Sequence, residues 1–352
     1  MKEYHITEDF KSDWEKNILN WYVENKRDLP WRKKENQNFY RIWISEVMLQ
    51  QTSVSVVIPF YKKFIEKWPR LEDLFDASME EILSIWQGMG YYKRAQNLFK
   101  AKELLKKNPI SIRANDLKKL PGVGEYISSA ISAILKDEPC PVIDVNIKRI
   151  LTRVFALNHK KKSFNKNIRK ISLKLTPVIN NRNYCQSLMD LASLICKSQN
   201  PKCNLCPVSL ACLSRGKSFE KKEKKIKKNK TTISFVVRYK EDFLLEKTSR
   251  NLLQNLYCFP LSELKEEREG LKDVIDFNKI INKWMRENNI QTSFKLIGKI
   301  KHTFTHFHLK VLIVELRLNK RIKFKNFFWT NLNDLERKPV SSLMKKIKDT
   351  IL

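Results

Sequence analysis

Four of the seven cysteines lie close together near the middle of the chain, in the spacing C-x6-C-x2-C-x5-C: Cys196, Cys203, Cys206 and Cys212. Pro201 and Pro207 interrupt this segment, which predicts a loop that can wrap around one centre. Four thiolates suit either tetrahedral zinc or a four-iron four-sulfur cluster. Zinc ribbons usually carry two C-x2-C knuckles, and this segment has only one. An odd, crowded set of cysteines is not typical of a disulfide framework, so the segment predicts a metal centre.

Two carboxylates stand where an acid can take part in catalysis. Glu46 lies in RIWISEVMLQQT, a predicted helix with Ile42 one turn before it and Leu49 one turn after it. Apolar neighbours would raise the pKa of Glu46 and make it a general acid near neutral pH, whereas a solvent-facing glutamate would have no such role. Asp144 follows an apolar run and opens a helix. It is therefore either a simple N-cap or a carboxylate that faces a cationic transition state.

Four of the seven glycines form two pairs, in QGMGYYKRAQN and LPGVGEYISSAI. The second pair, Gly122 and Gly124, lies between a predicted helix that ends near Leu120 and another that starts near Tyr126. Backbone amides in such a turn, at the N-terminus of a helix, can approach a phosphate closely. The alternative is an ordinary turn between two helices.

The composition favours a polyanionic partner. The chain has 352 residues, of which 69 are Lys or Arg and 38 are Asp or Glu, so its net charge is +31. Nucleic acid or an anionic membrane is therefore the leading partner class. No apolar run approaches the roughly 18 residues of a membrane-spanning helix, and the first residues lack the apolar stretch of a signal peptide. We expect a cytoplasmic protein without membrane contact, and a monomer because no self-complementary patch is evident.

The elements that must position these groups fall into two parts. From Asp9 to about Leu213, apolar residues recur every three or four positions, which predicts short amphipathic helices. Residues 216–231 are rich in lysine and predict a basic linker between a domain over residues 1–215 and one over residues 232–352. The last part is predicted to be α+β, with helices near Val274–Glu287 and Ser341–Ile351 and strands near Ile233–Tyr239, Phe243–Glu246, Phe294–Ile300, His308–Arg317 and Asn326–Thr330.

Several motifs together resemble MutY, the adenine DNA glycosylase family of the endonuclease III superfamily: LPWR, SEVMLQQT, GMGYYKRAQN, LPGVGEY, IDVNIKRI, MDLASLIC and the four-cysteine spacing. This match runs from about Asp28 to Cys212, and LYCFP and HTFTHFH look like the C-terminal domain of the family. The resemblance implies an all-α helix-hairpin-helix glycosylase domain with one [4Fe-4S] cluster on the four cysteines. It also implies a MutT-like (Nudix) domain, and double-stranded DNA with adenine opposite 8-oxoguanine or guanine as the substrate.

The resemblance carries roles onto the matching positions, in a reaction that flips adenine out of the duplex and cuts it from its sugar. Glu46 matches the acid that protonates adenine, and Asp144 matches the carboxylate that stabilises the oxocarbenium-like sugar. Tyr126 and Asn146 match residues that assist in the same pocket. The adenine site is lined, by resemblance, by Arg27, Leu29, Trp31, Arg32 and Gln186, and the opened base stack is filled by Gln51 and Tyr91. Contacts to the DNA backbone are expected from Gly122, Gly124, Lys197 and Lys202.

The residue at position 126 separates two enzyme types of this superfamily. Bifunctional endonuclease III types carry a lysine there, and its amine attacks the sugar to form a Schiff base. The present chain has Tyr126, and a phenol cannot form an imine. We therefore expect a monofunctional glycosylase that leaves an abasic site without cutting the strand.

The C-terminal part has three of the five histidines in the segment HTFTHFH. If this segment is a single strand, His302, His306 and His308 share one face, and a metal site is one interpretation. The resemblance favours another, in which Phe304, Thr305 and His306 match the loop that senses 8-oxoguanine. The glycine-led, glutamate-rich metal motif of MutT-like hydrolases is not found in KEEREGLKDVI or elsewhere in the sequence, so nucleotide hydrolysis is not expected.

Three positions depart from the family pattern: Val145 and Ala192 stand where glycine is common, and Thr305 where serine is frequent. The β-branched Val145 restricts the backbone beside the candidate catalytic carboxylate. Two alternative functions remain, an endonuclease III-like enzyme for oxidised pyrimidines and a non-catalytic DNA-binding protein. Tyr126 and the second domain argue against the first alternative, and the second gives no reason for two candidate carboxylates.

Overall fold

The computed structural model describes residues 6–217, 226–250, 253–266 and 277–351. Part of the predicted basic linker and most of the segment KEEREGLKDVI lie outside these residues. No helix among the described residues combines the length and the apolar character that crossing a membrane requires.

The chain divides into two compact units. The first unit consists of Met1–Asp76 and Asn97–Glu223, and the second of Ala77–Gln96 and Lys224–Leu352. The segment Ala77–Gln96 thus differs from the domain boundaries expected from the sequence, which placed it with the N-terminal helices. Long-range contacts explain the difference. Within the second unit, Nε2 of Gln87 donates to the carbonyl of Val340 (2.9 Å), and Nε2 of Gln96 donates to the carbonyl of Gln254 (2.7 Å).

Residues 6–217 form helices and turns. The α-helices are α1 (Glu8–Asn25), α2 (Phe39–Leu49), α3 (Val54–Lys67), α4 (Leu71–Phe75), α5 (Met79–Ile85), α6 (Lys93–Lys107), α7 (Ala114–Leu117), α8 (Glu125–Lys136), α9 (Val145–Val154), α10 (Phe164–Leu175) and α11 (Asn181–Leu194). Short 3₁₀ helices cover Pro30–Arg32, Lys34–Asn36 and Cys203–Leu205. The helices other than α5 and the start of α6 belong to the first unit, so its predicted all-α character is confirmed.

Side-chain caps fix the starts of the two helices that carry the candidate carboxylates. Oδ1 of Asn38 accepts a hydrogen bond from the amide of Arg41 (3.0 Å) and caps α2. Asp144 caps α9 in the same way. The helical period predicted for α9 is confirmed, because the four apolar side chains of the predicted pattern are buried: Ile147, Ile150, Leu151 and Val154. Val145, the first residue of the helix, is 77% exposed.

A shared core holds α1, α9, α10 and α11 together. Within it, Nε1 of the buried Trp14 donates a hydrogen bond to the hydroxyl of Tyr184 (2.9 Å), which joins α1 to α11. Side chains of the cysteine segment, including Cys196, Cys206 and Cys212, pack against the same core. The core therefore fixes the helices that carry the candidate site and also supports the cysteine loop.

The second unit contains a mixed sheet with the central strand order β3-β2-β1-β6-β5. Its described strands are β1 (Lys228–Tyr239), β2 (Asp242–Lys247), β3 (Tyr257–Cys258), β4 (Lys265–Glu266), β5 (Phe294–Thr303), β6 (Phe307–Arg317) and β7 (Phe328–Asn331). Its C-terminal helices are α12 (Phe277–Glu287), α13 (Leu332–Arg337) and α14 (Ser342–Ile351). Phe235 of β1 stacks on Trp284 of α12 with ring centroids 4.0 Å apart, which anchors the helix to the sheet. The predicted α+β character is confirmed.

Two details of the sheet differ from the sequence-based expectations. Strand β1 begins at Lys228, inside the segment predicted as a linker, because it pairs in parallel with β6 from that residue onward. The segment HTFTHFH is a hairpin and not one strand, since β5 ends at Thr303 and β6 begins at Phe307. Thr303 pairs with His308, so His302 and His308 lie on opposite faces of the sheet. The interpretation of three histidines on one face is therefore wrong.

Candidate active site

Glu46 lies on α2 and is enclosed by the protein. It is 4% exposed, and its neighbours Ile44, Val47 and Met48 are buried as well. Burial raises the pKa of Glu46 from 4.5 to about 7. Oε2 of Glu46 has no hydrogen-bond partner within the described part of the chain. The solvent-facing alternative is excluded, and this carboxyl can hold a proton near neutral pH.

Three other groups act on the pKa of Glu46, each from a different part of the first unit. A hydrogen bond with Tyr126 and the charge of Arg32 lower it against the effect of burial, and the negative charge of Asp144 raises it. The hydroxyl of Tyr126, on α8, lies 3.6 Å from Sδ of Met189. Burial raises the pKa of Tyr126 well above its ordinary value, so the phenol stays protonated. The structure thus brings together the predicted residues at positions 46, 126 and 144.

Asp144 is the N-cap that its sequence pattern indicated. Its Oδ1 accepts hydrogen bonds from the amides of Asn146 (2.9 Å) and Ile147 (2.7 Å), and its Oδ2 accepts one from Nδ2 of Asn146 (2.7 Å). It is therefore an N-cap, and its charge also acts on Glu46. Since its capping bonds fix the carboxylate, it can face a cation without reorganising.

A chain of hydrogen bonds leads from Asn146 to the cysteine segment. Oδ1 of Asn146 accepts a bond from Nη1 of Arg149 (2.9 Å). Nε of Arg149 donates to the carbonyl of Cys196 (2.8 Å), and its Nη2 donates to that of Ala192 (2.9 Å). The start of α9 and the first cysteine are therefore tied through one side chain.

A cavity of about 520 Å³ lies in the first unit, within the range of small-molecule sites. Its lining includes Arg32, whose charge acts on Glu46, but not Glu46, Tyr126 or Asp144. Three of its lining residues, Arg27, Arg32 and Gln186, are among those that the sequence assigned to the adenine site. Two other predicted residues do not line it: Leu29 and Trp31 are 6% and 4% exposed and belong to the core.

The hydroxyl of Tyr22 donates to Oε1 of Gln186 (2.7 Å), which orients the amide at the wall of this cavity. The same cavity is lined by basic side chains: Lys26, Lys33, Lys34 and Arg182.

Sequence reasoning missed Asp190, which binds both arginines of the cavity. It lies on α11, its side chain has no exposed surface, and it forms ion pairs of 2.7 Å with Arg27 and with Arg32. The signal that could have found it is an acid four residues after Gln186 that is flanked by Met189 and Leu191.

Gln51 and Tyr91 both have left-handed backbone conformations, with φ of +57° and +50°. Gln51 follows α2 in the first unit and is exposed. Tyr91 follows Gly90 in the second unit and is 39% exposed. The hydroxyl of Thr305 donates to that of Tyr91 (3.4 Å), so the second unit brings together two of the predicted positions.

The turn of the β5–β6 hairpin carries Phe304, Thr305 and His306. The amide of Phe304 donates to the carbonyl of Phe307 (2.9 Å), which closes the turn. The Phe304 ring lies between those of His302 (4.7 Å) and Phe307 (4.8 Å). The side chains of Thr305 and His306 are exposed. The turn therefore exposes a hydroxyl and an imidazole next to a cluster of packed aromatic rings.

The predicted turn around Gly122 and Gly124 is present between α7 and α8. Gly122 has φ of +81°, and an added Cβ would lie 2.8 Å from Cβ of Asn97, so this position requires glycine. Gly124 is the N-cap residue of α8, and a Cβ there would meet no atom within 4 Å. The first amides of α8 are thus open to an approaching anion.

The four cysteines of the predicted metal centre line one cavity, together with Arg153. All four are free thiols. Nη1 of Arg153 lies 3.4 Å from Sγ of Cys196 and donates to the carbonyl of Lys197 (2.6 Å). Among the described residues, no group of three or more His, Cys, Asp or Glu side chains is placed to hold a single metal ion. Four thiols around one cavity fit a larger group such as an iron-sulfur cluster.

Lys197 and Lys202, the predicted phosphate contacts, are exposed on this cysteine segment.

Comparison with known proteins defines the class. A family model described as "HhH-GPD superfamily base excision DNA repair protein" matches residues 44–176, and a Nudix-domain model matches residues 233–350. The solved structure of a thermostable thymine-DNA glycosylase is similar with a TM-score of 0.54 and 26% identity, covering 58% of this chain and 96% of that chain. The fold is that of a helix-hairpin-helix DNA repair protein with a C-terminal Nudix domain.

Two adenine DNA glycosylases are similar over most of their length. That of Buchnera aphidicola subsp. Schizaphis graminum is 35% identical over 324 residues, which are 88% of this chain and 88% of the relative. That of Buchnera aphidicola subsp. Baizongia pistaciae is 35% identical over 350 residues, 94% of this chain and 95% of the relative. The chain belongs to the adenine DNA glycosylase family. The predicted fold class, the glycosylase activity and DNA as the partner are therefore confirmed.

Proposed function

We propose that this protein releases adenine from double-stranded DNA in which the base is mispaired with 8-oxoguanine or guanine. The observation that carries the proposal is the state of Glu46, a buried acid with a pKa raised to about 7 beside the negative charge of Asp144. A proton donor and a fixed carboxylate are what cleavage of a bond to a sugar through an oxocarbenium-like transition state needs.

In this proposal the flipped adenine contacts Arg27, Arg32 and Gln186, which line the 520 Å³ cavity, and Glu46, which does not line it. Glu46 donates its proton to a ring nitrogen of the base, and the electron pair of the bond between sugar and base leaves with the adenine. The charge of Asp144 stabilises the positive sugar, and a water molecule then adds to it and loses a proton. Tyr126 holds the carboxyl of Glu46, and Asn146 holds that of Asp144.

The reaction stops at an abasic site. An amine at position 126 would attack the sugar and open a route to strand cleavage, but the phenol of Tyr126 has no nitrogen to form an imine. The protonated state of this phenol also fits a role as hydrogen-bonding partner only.

Selection of the mispair is proposed for a different part of the molecule, the turn of the β5–β6 hairpin. The exposed side chains of Thr305 and His306 can donate to the edge of the base opposite adenine. Phe304, in the same turn, stacks on the ring of Phe307. Tyr91, bonded to Thr305, and Gln51 are proposed to fill the stack from which the base leaves. Support for the hairpin comes from this contact and from the Nudix-domain match.

Binding of the DNA backbone is proposed for the amides at Gly122 and Gly124 and for the side chains of Lys197 and Lys202. The net charge of +31 predicts that binding weakens steeply with salt, because phosphate contacts release counterions. One [4Fe-4S] cluster is proposed on the four cysteines, where its iron–thiolate bonds would fix the loop that carries both lysines. The monomeric state and the cytoplasmic location stay predictions.

One assay tests the function. The purified protein is incubated with duplexes that contain adenine opposite 8-oxoguanine, adenine opposite guanine, or thymine glycol, and base release is followed with and without alkaline strand cleavage. We expect free adenine from the first two duplexes and strand breaks only after alkali. Release from thymine glycol with spontaneous strand breaks would favour the endonuclease III-like alternative, and binding without any release would favour a non-catalytic DNA-binding protein.

A further inference from the structure

One buried carboxylate holds both arginines of the cavity. Nη1 and Nη2 of Arg32 donate to Oδ2 and Oδ1 of Asp190 (2.7 and 2.9 Å), which is a bidentate pair. Nε of Arg27 donates to the same Oδ1 (2.7 Å), and the amide of Arg27 donates to Oδ2 (3.0 Å). Four hydrogen bonds therefore converge on a side chain that has no exposed surface. A bidentate, buried arginine has a fixed plane and cannot exchange rotamers freely.

The carboxylate of Asp190 and the guanidinium groups of the two arginines keep each other charged. Burial alone would raise the pKa of Asp190, but the hydrogen bonds and charges of Arg32 and Arg27 hold it below its usual range. Burial alone would lower the pKa of Arg32, but its hydrogen bond and charge interaction with Asp190 hold the pKa of Arg32 above the ordinary value. Two cations share one anion here, so the cluster of Arg27, Arg32 and Asp190 has a net charge of +1. The contact joins the segment before α2 to α11, about 160 residues further along the chain.

We propose that Asp190 is a positioning residue for adenine release, which fixes Arg27 and Arg32 as the donor wall of the cavity and sets the placement of the Arg32 charge relative to Glu46. This inference rests on the proposed function. Asp190 is not a catalytic residue in this account, because the two arginines and not Asp190 line the cavity. Its effect on the reaction passes through them.

Four ionisable groups surround Glu46, so the test of Asp190 must take the charge state of all four into account. Arg32 lowers the pKa of Glu46 from the segment before α2, and Tyr126 lowers it from α8. Asp144 raises it from the start of α9. Cys185, on α11, is buried and keeps its proton, since burial raises its pKa well above the ordinary value. Of these groups, Arg32 is the one whose charge is compensated by Asp190.

The test measures single-turnover adenine release against pH. In the wild type, the rate should decline above pH 7 as Glu46 loses its proton. The variant Asp190→Asn leaves the positive charges of Arg27 and Arg32 without compensation and so favours ionised Glu46. We expect the basic limb of its profile to move by about one pH unit to lower pH. Asp190→Glu retains the charge and should restore the position of the limb.

Asp137→Asn is the matched control. Asp137 accepts hydrogen bonds from the amides of Asn180 (2.7 Å) and Arg182 (3.0 Å) at the start of the same helix, α11. Its loss should lower the melting temperature without moving the limb. An Asp190→Asn profile that superimposes on the wild type, or an equal shift in Asp137→Asn, overturns the inference.

A second variant keeps the inference testable if Asp190→Asn does not fold. Arg32→Gln removes the charge that lowers the pKa of Glu46, so the limb should move in the opposite direction, to higher pH. An unmoved limb in this variant also overturns the inference. A wild-type protein that releases no adenine contradicts the proposed function instead, so the two failures are distinguishable.

Discussion

The cavity lined by Arg27 and Arg32 and the turn of the β5–β6 hairpin hold their polar side chains in opposite ways. In the cavity, charged side chains are buried and bind each other: Asp190 alone receives four hydrogen bonds from Arg27 and Arg32. In the turn, Thr305 and His306 are exposed, and the hydroxyl of Thr305 donates a 3.4 Å bond to that of Tyr91. Preorganised, desolvated charge accelerates a reaction, whereas a surface that must read a base in DNA has to keep its donors accessible.

This difference predicts two kinds of mutant. Changes in the cavity should alter the rate of base release and its pH dependence for every duplex. Changes in the hairpin turn should alter the ratio between duplexes and leave the slower substrate unaffected. The following experiments test this division, in order of decreasing expected effect.

The largest effect is expected from the two candidate carboxylates. Glu46→Gln removes the proton donor and Asp144→Asn removes the charge that stabilises the sugar, so each should reduce adenine release by about 10³-fold or more. DNA affinity, measured by fluorescence anisotropy, should stay within about threefold, because neither change removes bulk. Glu103→Gln, an exposed acid on α6, is the control and should be as active as the wild type. Substantial turnover in either carboxylate variant would remove that residue from the mechanism.

The same buried acid should make the protein less stable at alkaline pH. The folded state favours protonated Glu46, since burial raises its pKa from 4.5 to about 7. The free energy of unfolding therefore falls as the pH rises between these two values, by about 3 kcal/mol at most. We expect Glu46→Gln to melt at a higher temperature than the wild type at pH 8 and to show no advantage near pH 4. An advantage of equal size at both pH values would show that ionisation is not its source.

A smaller effect is expected in the hairpin turn. Thr305→Ala and His306→Ala each remove one donor to the opposite base, so the preference for 8-oxoguanine over guanine should fall by about five- to tenfold. The rate on adenine opposite guanine should not change. Thr292→Ala, at the other end of β5, serves as the control. If the rates on both duplexes fall together, the turn acts on catalysis and the division between the two regions is wrong.

The smallest effect is expected from Tyr91→Phe. This change removes only the hydroxyl that accepts the long bond from Thr305, and such an exposed contact contributes little. Release from both duplexes should change by less than about threefold. A tenfold loss confined to the 8-oxoguanine duplex would show instead that this bond places the turn.

Local patterns predicted the parts of the site that depend on neighbouring residues. The apolar positions around Glu46 indicated a buried carboxyl, and the position of Asp144 before a helix indicated a cap. The turn at Gly122 was also expected, because the glycine pair stands between two predicted helices. Each of these features is decided within about one helical turn.

Features that depend on distant contacts were not predicted. The bond between Asp190 and Arg32 joins residues 158 positions apart, and a local pattern cannot identify the partner of a buried acid at that distance. The placement of Ala77–Gln96 in the second unit depends on bonds that span 253 and 158 positions. The separate strands near Phe294–Ile300 and His308–Arg317 were expected, but the pairing of Thr303 with His308, which fixes the turn between them, depends on the contact of the two strands. Leu29 and Trp31 were placed at the cavity by resemblance, and their burial in the core follows from packing.

The unpartnered oxygen of Glu46 has a consequence for protein engineering. Random libraries of this enzyme that are screened for heat tolerance alone will enrich neutral side chains at position 46, because they remove an unfavourable buried charge. Variants selected in this way would tolerate heat but would not release adenine. A screen for a durable variant must therefore score adenine release in the same round.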